Sequence, residues 1–181
     1  MRKILLTSAG FENPRVMDCF LELLGKPAGT CRALFIPTAA IDDGARAMLP
    51  KCRGDLLSAG LLQEHITTYD LDRPMTDDEL SGYDTVYFCG GDTAHLLKCV
   101  RSSGFAETLD RALDKGLLYV GVSAGSVIAA QNLPDNLGYL SRRLQVHCEQ
   151  GSPCGPLPDG EISLTDAQAV CLCGKTAEII E

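Results

Sequence analysis

The sequence contains no tryptophan, and aromatic residues make up only 6% of its 181 positions. Basic residues are also few: 16 Lys and Arg stand against 24 Asp and Glu, which gives a formal net charge of −8. Proteins that bind nucleic acids do so through clustered Lys and Arg, so this balance argues against a nucleic-acid partner. An anionic membrane surface is disfavoured for the same reason.

Long hydrophobic segments are missing too. The apolar run at residues 4–6 ends at Thr7, which is too short for a secretory signal core or a membrane span. We interpret it as a buried first strand and predict no membrane partner. The nine cysteines are odd in number, irregularly spaced and without a Cys-x-x-Cys pair, which favours reduced thiols in a cytoplasmic protein and no metal site. No Gly-x-Gly-x-x-Gly or phosphate-loop motif supports nucleotide binding.

What the sequence does contain is a regular alternation of apolar runs and helical patterns. Strands are predicted at 3–8, 33–37, 65–71, 85–89 and 117–122, and helices at 13–24, 43–59, 93–100 and 106–115. Near-continuous apolar strands separated by helices indicate an α/β fold, a three-layer sandwich around a mainly parallel central sheet. After Asn132 the pattern changes to short strands at 144–147, 161–164 and 169–172, and the turn residues at 166–168 and 174–175 suit short β-hairpins at the C-terminus. The length fits one domain over 1–181.

The most informative motif is Gly-Val-Ser-Ala-Gly at residues 121–125. It directly follows the apolar strand at 117–122 and precedes a helix-forming stretch at 127–130. This order is typical of a nucleophile elbow, in which a serine hydroxyl projects from the end of a sheet at a sharp turn. Ser123 is therefore the predicted nucleophile. Parallel strands gather their sites at their carboxyl ends, where Ser8 and Gly90 are also expected.

A serine nucleophile needs a base and a group that orients the base. Of the three histidines, His147 ends an apolar strand downstream of Ser123 and is the predicted base. Asp135 is the preferred orienting carboxylate because it is the acidic residue between the two. Asp166 and Glu149 remain alternatives, since order along the chain does not establish a carboxylate–imidazole contact.

A Gly-Gly-Asp segment at 90–92 follows the fourth predicted strand. The amides of Gly91 and Ala124 are the predicted oxyanion donors, because one lies in this turn and the other directly follows the nucleophile. Gly90, Asp92 and Ser126 are expected to contribute to substrate binding. The same segment also fits a tight turn in which Asp92 caps a helix.

Together, Cys-Gly-Gly-Asp-Thr at 89–93, Gly-Val-Ser-Ala-Gly-Ser at 121–126, Val-His at 146–147 and Leu-Thr-Asp-Ala-Gln-Ala at 164–169 resemble the peptidase E family. That family contains aspartyl dipeptidases and, more distantly, cyanophycinases, and its fold is similar to class I glutamine amidotransferases, with serine in place of their cysteine. The resemblance implies a serine hydrolase that cleaves short peptides, with Ser123 as nucleophile and His147 as base. It implies no metal or organic cofactor.

The sequence also departs from the family pattern. Asp92 stands where members usually carry Asn, and Gln-Val at 145–146 precedes the histidine in place of Asn-Pro or a similar pair. Members that cleave after an N-terminal aspartate carry an arginine downstream of the histidine, whereas only Lys175 follows His147 here. Cleavage of N-terminal aspartyl peptides therefore remains an open specificity. A small esterase and a non-catalytic binding protein with a degenerate site are the alternative functions, and a homodimer is open as the assembly state.

Overall fold

The computed structural model describes the whole chain, residues 1–181. The strands are β1 (Lys3–Thr7), β2 (Ala33–Ile36), β3 (Ile66–Thr68), β4 (Thr85–Phe88), β5 (Leu118–Val122), β6 (Leu144–Gln145), β7 (Gly155–Pro156), β8 (Ile162–Ser163), β9 (Ala169–Cys173) and β10 (Thr176–Ile180). The helices are α1 (Pro14–Leu24), α2 (Asp43–Ser58), α3 (Asp77–Leu80), α4 (Thr93–Ser102), α5 (Phe105–Asp114) and α6 (Ala124–Val127). None of these helices is long and apolar enough to cross a membrane.

Eight strands form the central sheet in the order β3-β2-β4-β5-β1-β9-β10-β7. The first five of these run parallel to one another. The sheet then continues with antiparallel pairs, because β9 lies against β1 and β10 folds back on β9. The remaining strands, β6 and β8, form a separate parallel pair. The predicted mixed α/β fold with a mainly parallel central sheet is confirmed.

Helices cover both faces of the sheet because its central strands are apolar on both sides. In β1, Ile4 and Leu6 point to one core and Leu5 to the other. Helices α1 and α2 cover the core on the Leu5 side of the sheet through residues such as Phe20 and Leu56. Helices α3, α4 and α5 cover the core on the side of Ile4 and Leu6. Burial of these strands on two faces is what their near-continuous apolar runs predicted.

Two local predictions are wrong. The helix after Ser123 is short and does not continue through 127–130, because Ile128 and Ala129 accept backbone hydrogen bonds from Leu137 and Leu140 instead of extending the helix. The strand at 161–164 does not form a hairpin with the strand at 169–172: β8 pairs with β6, while β9 enters the main sheet beside β1. One C-terminal hairpin does form, between β9 and β10.

Candidate active site

Ser123 lies at the carboxyl end of β5, next to the carboxyl end of β1. Its backbone has φ 49° and ψ −108°, a conformation that a residue with a side chain rarely adopts. Its amide donates to the carbonyl of Thr7 at 3.1 Å, which ties the turn to β1. Such a strained conformation costs about 1–3 kcal/mol and persists only where the surroundings impose it. Here a buried framework of strands holds the serine in place.

The turn around Ser123 is unusually close-packed. A Cβ atom at Gly121 would lie 2.6 Å from the backbone of Gly125, so the chain can double back on itself only with glycine there. The buried Ser126 hydroxyl lies 2.7 Å from the carbonyl oxygen of Thr7 and 2.8 Å from that of Gly121. Ser126 was predicted to bind substrate, but its hydroxyl is instead occupied in holding this turn together.

His147 follows β6 and faces Ser123. Its Nε2 atom lies 3.0 Å from Ser123 Oγ, within hydrogen-bonding distance. The backbone of His147 has φ 58°, so the imidazole is carried on a second non-glycine residue in a left-handed conformation. The other two histidines lie elsewhere: His65 ends a short helical turn before β3, and His95 lies in the first turn of α4. The structure thus brings together the predicted nucleophile and the predicted base.

The carboxylate beside His147 is Asp166, in the turn that precedes β9. Asp166 Oδ1 lies 2.6 Å from His147 Nδ1. Partial burial acts to raise the pKa of Asp166, but hydrogen bonds from His147 and Ser8 outweigh it and hold the pKa below its ordinary value. The carboxylate form is therefore the stable one at neutral pH.

The choice of Asp135 as the orienting acid is corrected by this geometry. Asp135 lies in the turn after Asn132, where its carbonyl oxygen accepts a hydrogen bond from Arg101 at 2.9 Å. It was preferred because it falls between Ser123 and His147 in the sequence. Asp166 instead lies close to His147 because the pairing of β9 with β1 places the turn before β9 at the end of β1, where Ser8 lies.

Ser8 connects the two C-terminal residues of the site to the sheet. Its side chain is fully buried, and its hydroxyl donates to Asp166 Oδ1 at 3.0 Å while accepting from the His147 amide at 2.8 Å. One hydroxyl thereby holds both the backbone that carries the imidazole and the carboxylate that faces it. Ser8 lies directly after β1, so it is rigidly placed.

Of the two predicted oxyanion donors, Ala124 directly follows Ser123 in the chain, and Gly91 lines the same cavity as Ser123. Gly91 follows β4 with φ +135°, and a Cβ there would lie 2.1 Å from the carbonyl oxygen of Ala39. Among the backbone hydrogen bonds made outside the helices and strands, none has the Gly91 amide or the Ala124 amide as its donor. The side chain of Asp92 does not enter the site: it caps α4 by accepting from the His95 amide at 2.7 Å. Asp92 is thus a helix cap, the alternative for this segment.

A cavity of about 320 Å³ opens directly over these residues. Ser8, Ser123, His147 and Asp166 line one side, together with Gly90 and Gly91, and residues of α2 line the other. Its size is at the lower end of the range of about 300–1,000 Å³ typical of small-molecule sites. No group of three or more His, Cys, Asp and Glu side chains is arranged to hold a metal ion.

Comparisons with known proteins identify the family of this chain. The model of peptidase family S51 matches residues 4–137. The chain belongs to peptidase family S51. This confirms the resemblance to peptidase E seen in the sequence.

Several relatives share parts of the sequence. An uncharacterized peptidase of Pasteurella multocida (strain Pm70) is 27% identical over 133 residues, which are 74% of this chain and 62% of that protein. An uncharacterized peptidase of Listeria monocytogenes (strain EGD-e) is 32% identical over 135 residues, 74% of this chain and 63% of that protein. Peptidase E of Streptomyces coelicolor is 33% identical over 107 residues, 59% of this chain and 41% of that protein. The matched region thus spans less than two thirds of each of these relatives.

Solved structures show the same fold over nearly the full chain. A candidate peptidase E protein from Listeria monocytogenes EGD-e superimposes with a TM-score of 0.79 at 20% identity, covering 99% of this chain and 98% of that one. A peptidase from an acI-B1 actinobacterium gives a TM-score of 0.72 at 15% identity and covers 99% and 87%. At such identities the likeness concerns the fold alone.

Two residues of this candidate site were missed or placed second in the sequence analysis. Ser8 was expected at the carboxyl edge of the sheet but was given no role; the signal was a polar residue at the end of an apolar strand. Asp166 was an alternative to Asp135, and its position within the stretch 164–169 that carries the family resemblance was the signal in its favour.

Proposed function

We propose that this chain is a serine peptidase that hydrolyses short peptides through Ser123, His147 and Asp166. The observation that carries the proposal is the unbroken series of contacts from Ser123 Oγ to His147 Nε2, at 3.0 Å, and from His147 Nδ1 to Asp166, at 2.6 Å. Such a series is the geometric signature of a nucleophile, its base and the group that orients the base. Membership of family S51 supports the same reaction class.

In the proposed mechanism the turn at Ser123 acts as a nucleophile elbow. Ser123 Oγ attacks the carbonyl carbon of the scissile peptide bond while His147 Nε2 takes its proton. Asp166 accepts a hydrogen bond from Nδ1–H, which fixes the tautomer with a free lone pair on Nε2 and stabilises the imidazolium as it forms. His147 then gives the proton to the leaving amine, and an acyl-enzyme remains on Ser123.

The negative charge that develops on the substrate oxygen needs hydrogen-bond donors already in place. The amides of Gly91 and Ala124 suit this role because Ala124 directly follows Ser123, Gly91 lines the same cavity, and neither amide is a donor in the backbone hydrogen bonds outside the helices and strands. Water would enter as the second nucleophile, activated by the same imidazole, and release the acid product. The reaction needs no metal or organic cofactor.

Short peptides are the proposed substrate class because of the size of the site. A cavity of about 320 Å³ accommodates one or two residues of a peptide. An extended chain of a folded protein would need a groove.

The proposed localisation in the cytoplasm agrees with nine cysteines that lie as free thiols.

A fluorophosphonate probe tests the proposal, with Ser123→Ala and His147→Ala as variants. We expect labelling of the wild-type protein on Ser123, loss of labelling in Ser123→Ala and a strong decrease in His147→Ala. Peptide hydrolysis measured on the same samples should fall in parallel, and a simple ester assayed beside the peptides separates a peptidase from an esterase. Absence of labelling in the wild-type protein would contradict the proposal and favour a non-catalytic binding protein.

A further inference from the structure

Resting on the function proposed above, we propose that the cavity beside Ser123 selects peptides whose acyl-side residue carries an uncharged, apolar side chain, and that it rejects an acidic one. The acyl-side residue is the one whose carbonyl carbon Ser123 attacks. The inference rests on three features of the cavity: its apolar wall, the state of its single lysine and its net charge.

The wall opposite the catalytic residues is apolar. Ala45, Met48 and Leu49 of α2 line it, together with the buried Cys52, one turn further along the helix, and the buried Cys89. Met48 is 51% exposed, which is unusual for a large apolar side chain and places it at the mouth of the cavity. An apolar substrate side chain seated here would cover this surface and be stabilised by its removal from water.

The only lysine or arginine that lines the cavity is Lys51. Its ammonium group is already engaged, because it pairs with the carboxylate of Glu12 and donates to the carbonyl of Ala9 at 2.8 Å. Partial burial acts to lower the pKa of Lys51, but the contact with Glu12 and the charge of Asp55 raise it above its ordinary value. Lys51 therefore stays charged and bound to its own partners, and a substrate carboxylate would have to displace Glu12.

The charge balance of the cavity points the same way. The carboxylates of Glu12 and Asp166 line it against the single ammonium of Lys51. Asp166 cannot be neutralised at neutral pH, because its pKa is held below the ordinary value. A substrate carboxylate would enter a site with excess negative charge, whereas an uncharged side chain would not be opposed by it.

Diphenyl α-aminoalkylphosphonates that mimic Leu, Met, Asp and Lys as acyl-side residues test the inference directly. In each reaction the Ser123 Oγ–phosphorus bond forms, one phosphorus–phenoxide bond breaks, and the serine proton leaves on phenol by way of His147. Intact-mass spectrometry gives the rate constant of labelling for each analogue. We expect the Leu and Met analogues to react at least about tenfold faster than the Asp analogue, the factor that 1.4 kcal/mol of unfavourable charge interaction produces.

A matched pair of variants separates the pocket from general electrostatics. Met48→Arg places a cation at the mouth of the cavity and should raise the Asp-to-Leu ratio of labelling rates by about tenfold. Leu57→Arg adds the same charge to the same helix at a position that is 40% exposed and does not line the cavity, so the ratio should not change. Glu12→Gln should also raise the ratio, because it releases Lys51.

The failure of this inference is distinguishable from failure of the proposed function. If the fluorophosphonate probe labels Ser123 but the Asp analogue reacts as fast as the Leu analogue, or no analogue reacts, the selectivity is overturned and the nucleophile stands. An equal shift of the ratio in Met48→Arg and Leu57→Arg would also overturn it. If neither the fluorophosphonate nor any analogue labels the protein, the proposed function fails and this inference fails with it.

Discussion

The two halves of the site are built differently. Ser123 stands on a parallel sheet whose strands β1, β4 and β5 are buried on both faces. His147 and Asp166 come from irregular segments after β6 and before β9, and their side chains are 51% and 60% exposed. Ser123, the proposed nucleophile, is thus held by a core, and its two proposed partners are held by a few hydrogen bonds.

This contrast identifies Ser8 as the link between the halves. Ser8 belongs to the end of β1 yet bonds to both His147 and Asp166. Ser8 thus acts on the alignment of the imidazole through His147 and Asp166 and makes no hydrogen bond to Ser123. A positioning residue of this kind should affect kcat more than substrate affinity.

The largest expected effect is the loss of activity in Asp166→Asn, which distinguishes Asp166 from Asp135 as the orienting acid. Asp166→Asn should lower kcat for peptide hydrolysis by on the order of 10³–10⁴-fold, because an amide no longer fixes the tautomer of His147. Asp135→Asn is the matched control and should leave kcat unchanged, since the Asp135 contact to Arg101 is made by its backbone carbonyl. Comparable losses in both variants would contradict the assignment of the acid.

A smaller effect is expected from Ser8→Ala. Loss of its hydroxyl leaves the His147 amide and Asp166 without one partner each, which should lower kcat by about 10–100-fold with little change in KM. The control is Ser126→Ala, which removes a buried serine of the framework and should lower the free energy of unfolding by about 1 kcal/mol.

The readout that a merely structural role would not move is the pH profile of kcat/KM. It should shift in Ser8→Ala, because the surroundings of the His147–Asp166 pair change, and stay constant in Ser126→Ala. If Ser8→Ala only lowered stability, with the wild-type pH profile and kcat, Ser8 would be a framework residue and the proposed link between the halves would be wrong.

The same contrast explains what the sequence could predict. The strands of the parallel unit were located because each is a short apolar run flanked by a helix, a local signal. Ser123 was located for the same reason, since strand, turn and glycines adjoin one another. His147 was found because few histidines were available.

The rest could not be found locally because it depends on long-range pairing. Asp166 meets His147 because β9 adds antiparallel to β1, with Ala169 opposite Thr7. A run such as Ala-Val-Cys-Leu-Cys at 169–173 predicts a strand but does not state its partner. The same limitation made the expected hairpin between 161–164 and 169–172 wrong.

The smallest expected effect is the pH dependence of stability. In the folded protein the pKa of Asp166 lies below its ordinary value of 3.8. The hydrogen bonds to this carboxylate therefore stabilise the fold at pH values above the unfolded-state pKa. That contribution should be lost as the pH falls below 3.8 and through the folded-state value. Chemical denaturation across this range should show a shallower pH dependence in Asp166→Asn than in the wild-type protein. Identical curves would mean that the carboxylate is not held as described.

The most direct test of the proposed His147–Asp166 pair is the NMR signal of the proton on His147 Nδ1. Its proton NMR signal should appear far downfield in the wild-type protein because the proton lies between the imidazole and Asp166, 2.6 Å apart. We predict that the signal is retained in Asp135→Asn and lost or moved upfield in Asp166→Asn. A signal that persists unchanged in Asp166→Asn, or disappears in Asp135→Asn, would contradict the assignment of Asp166 as the partner of His147.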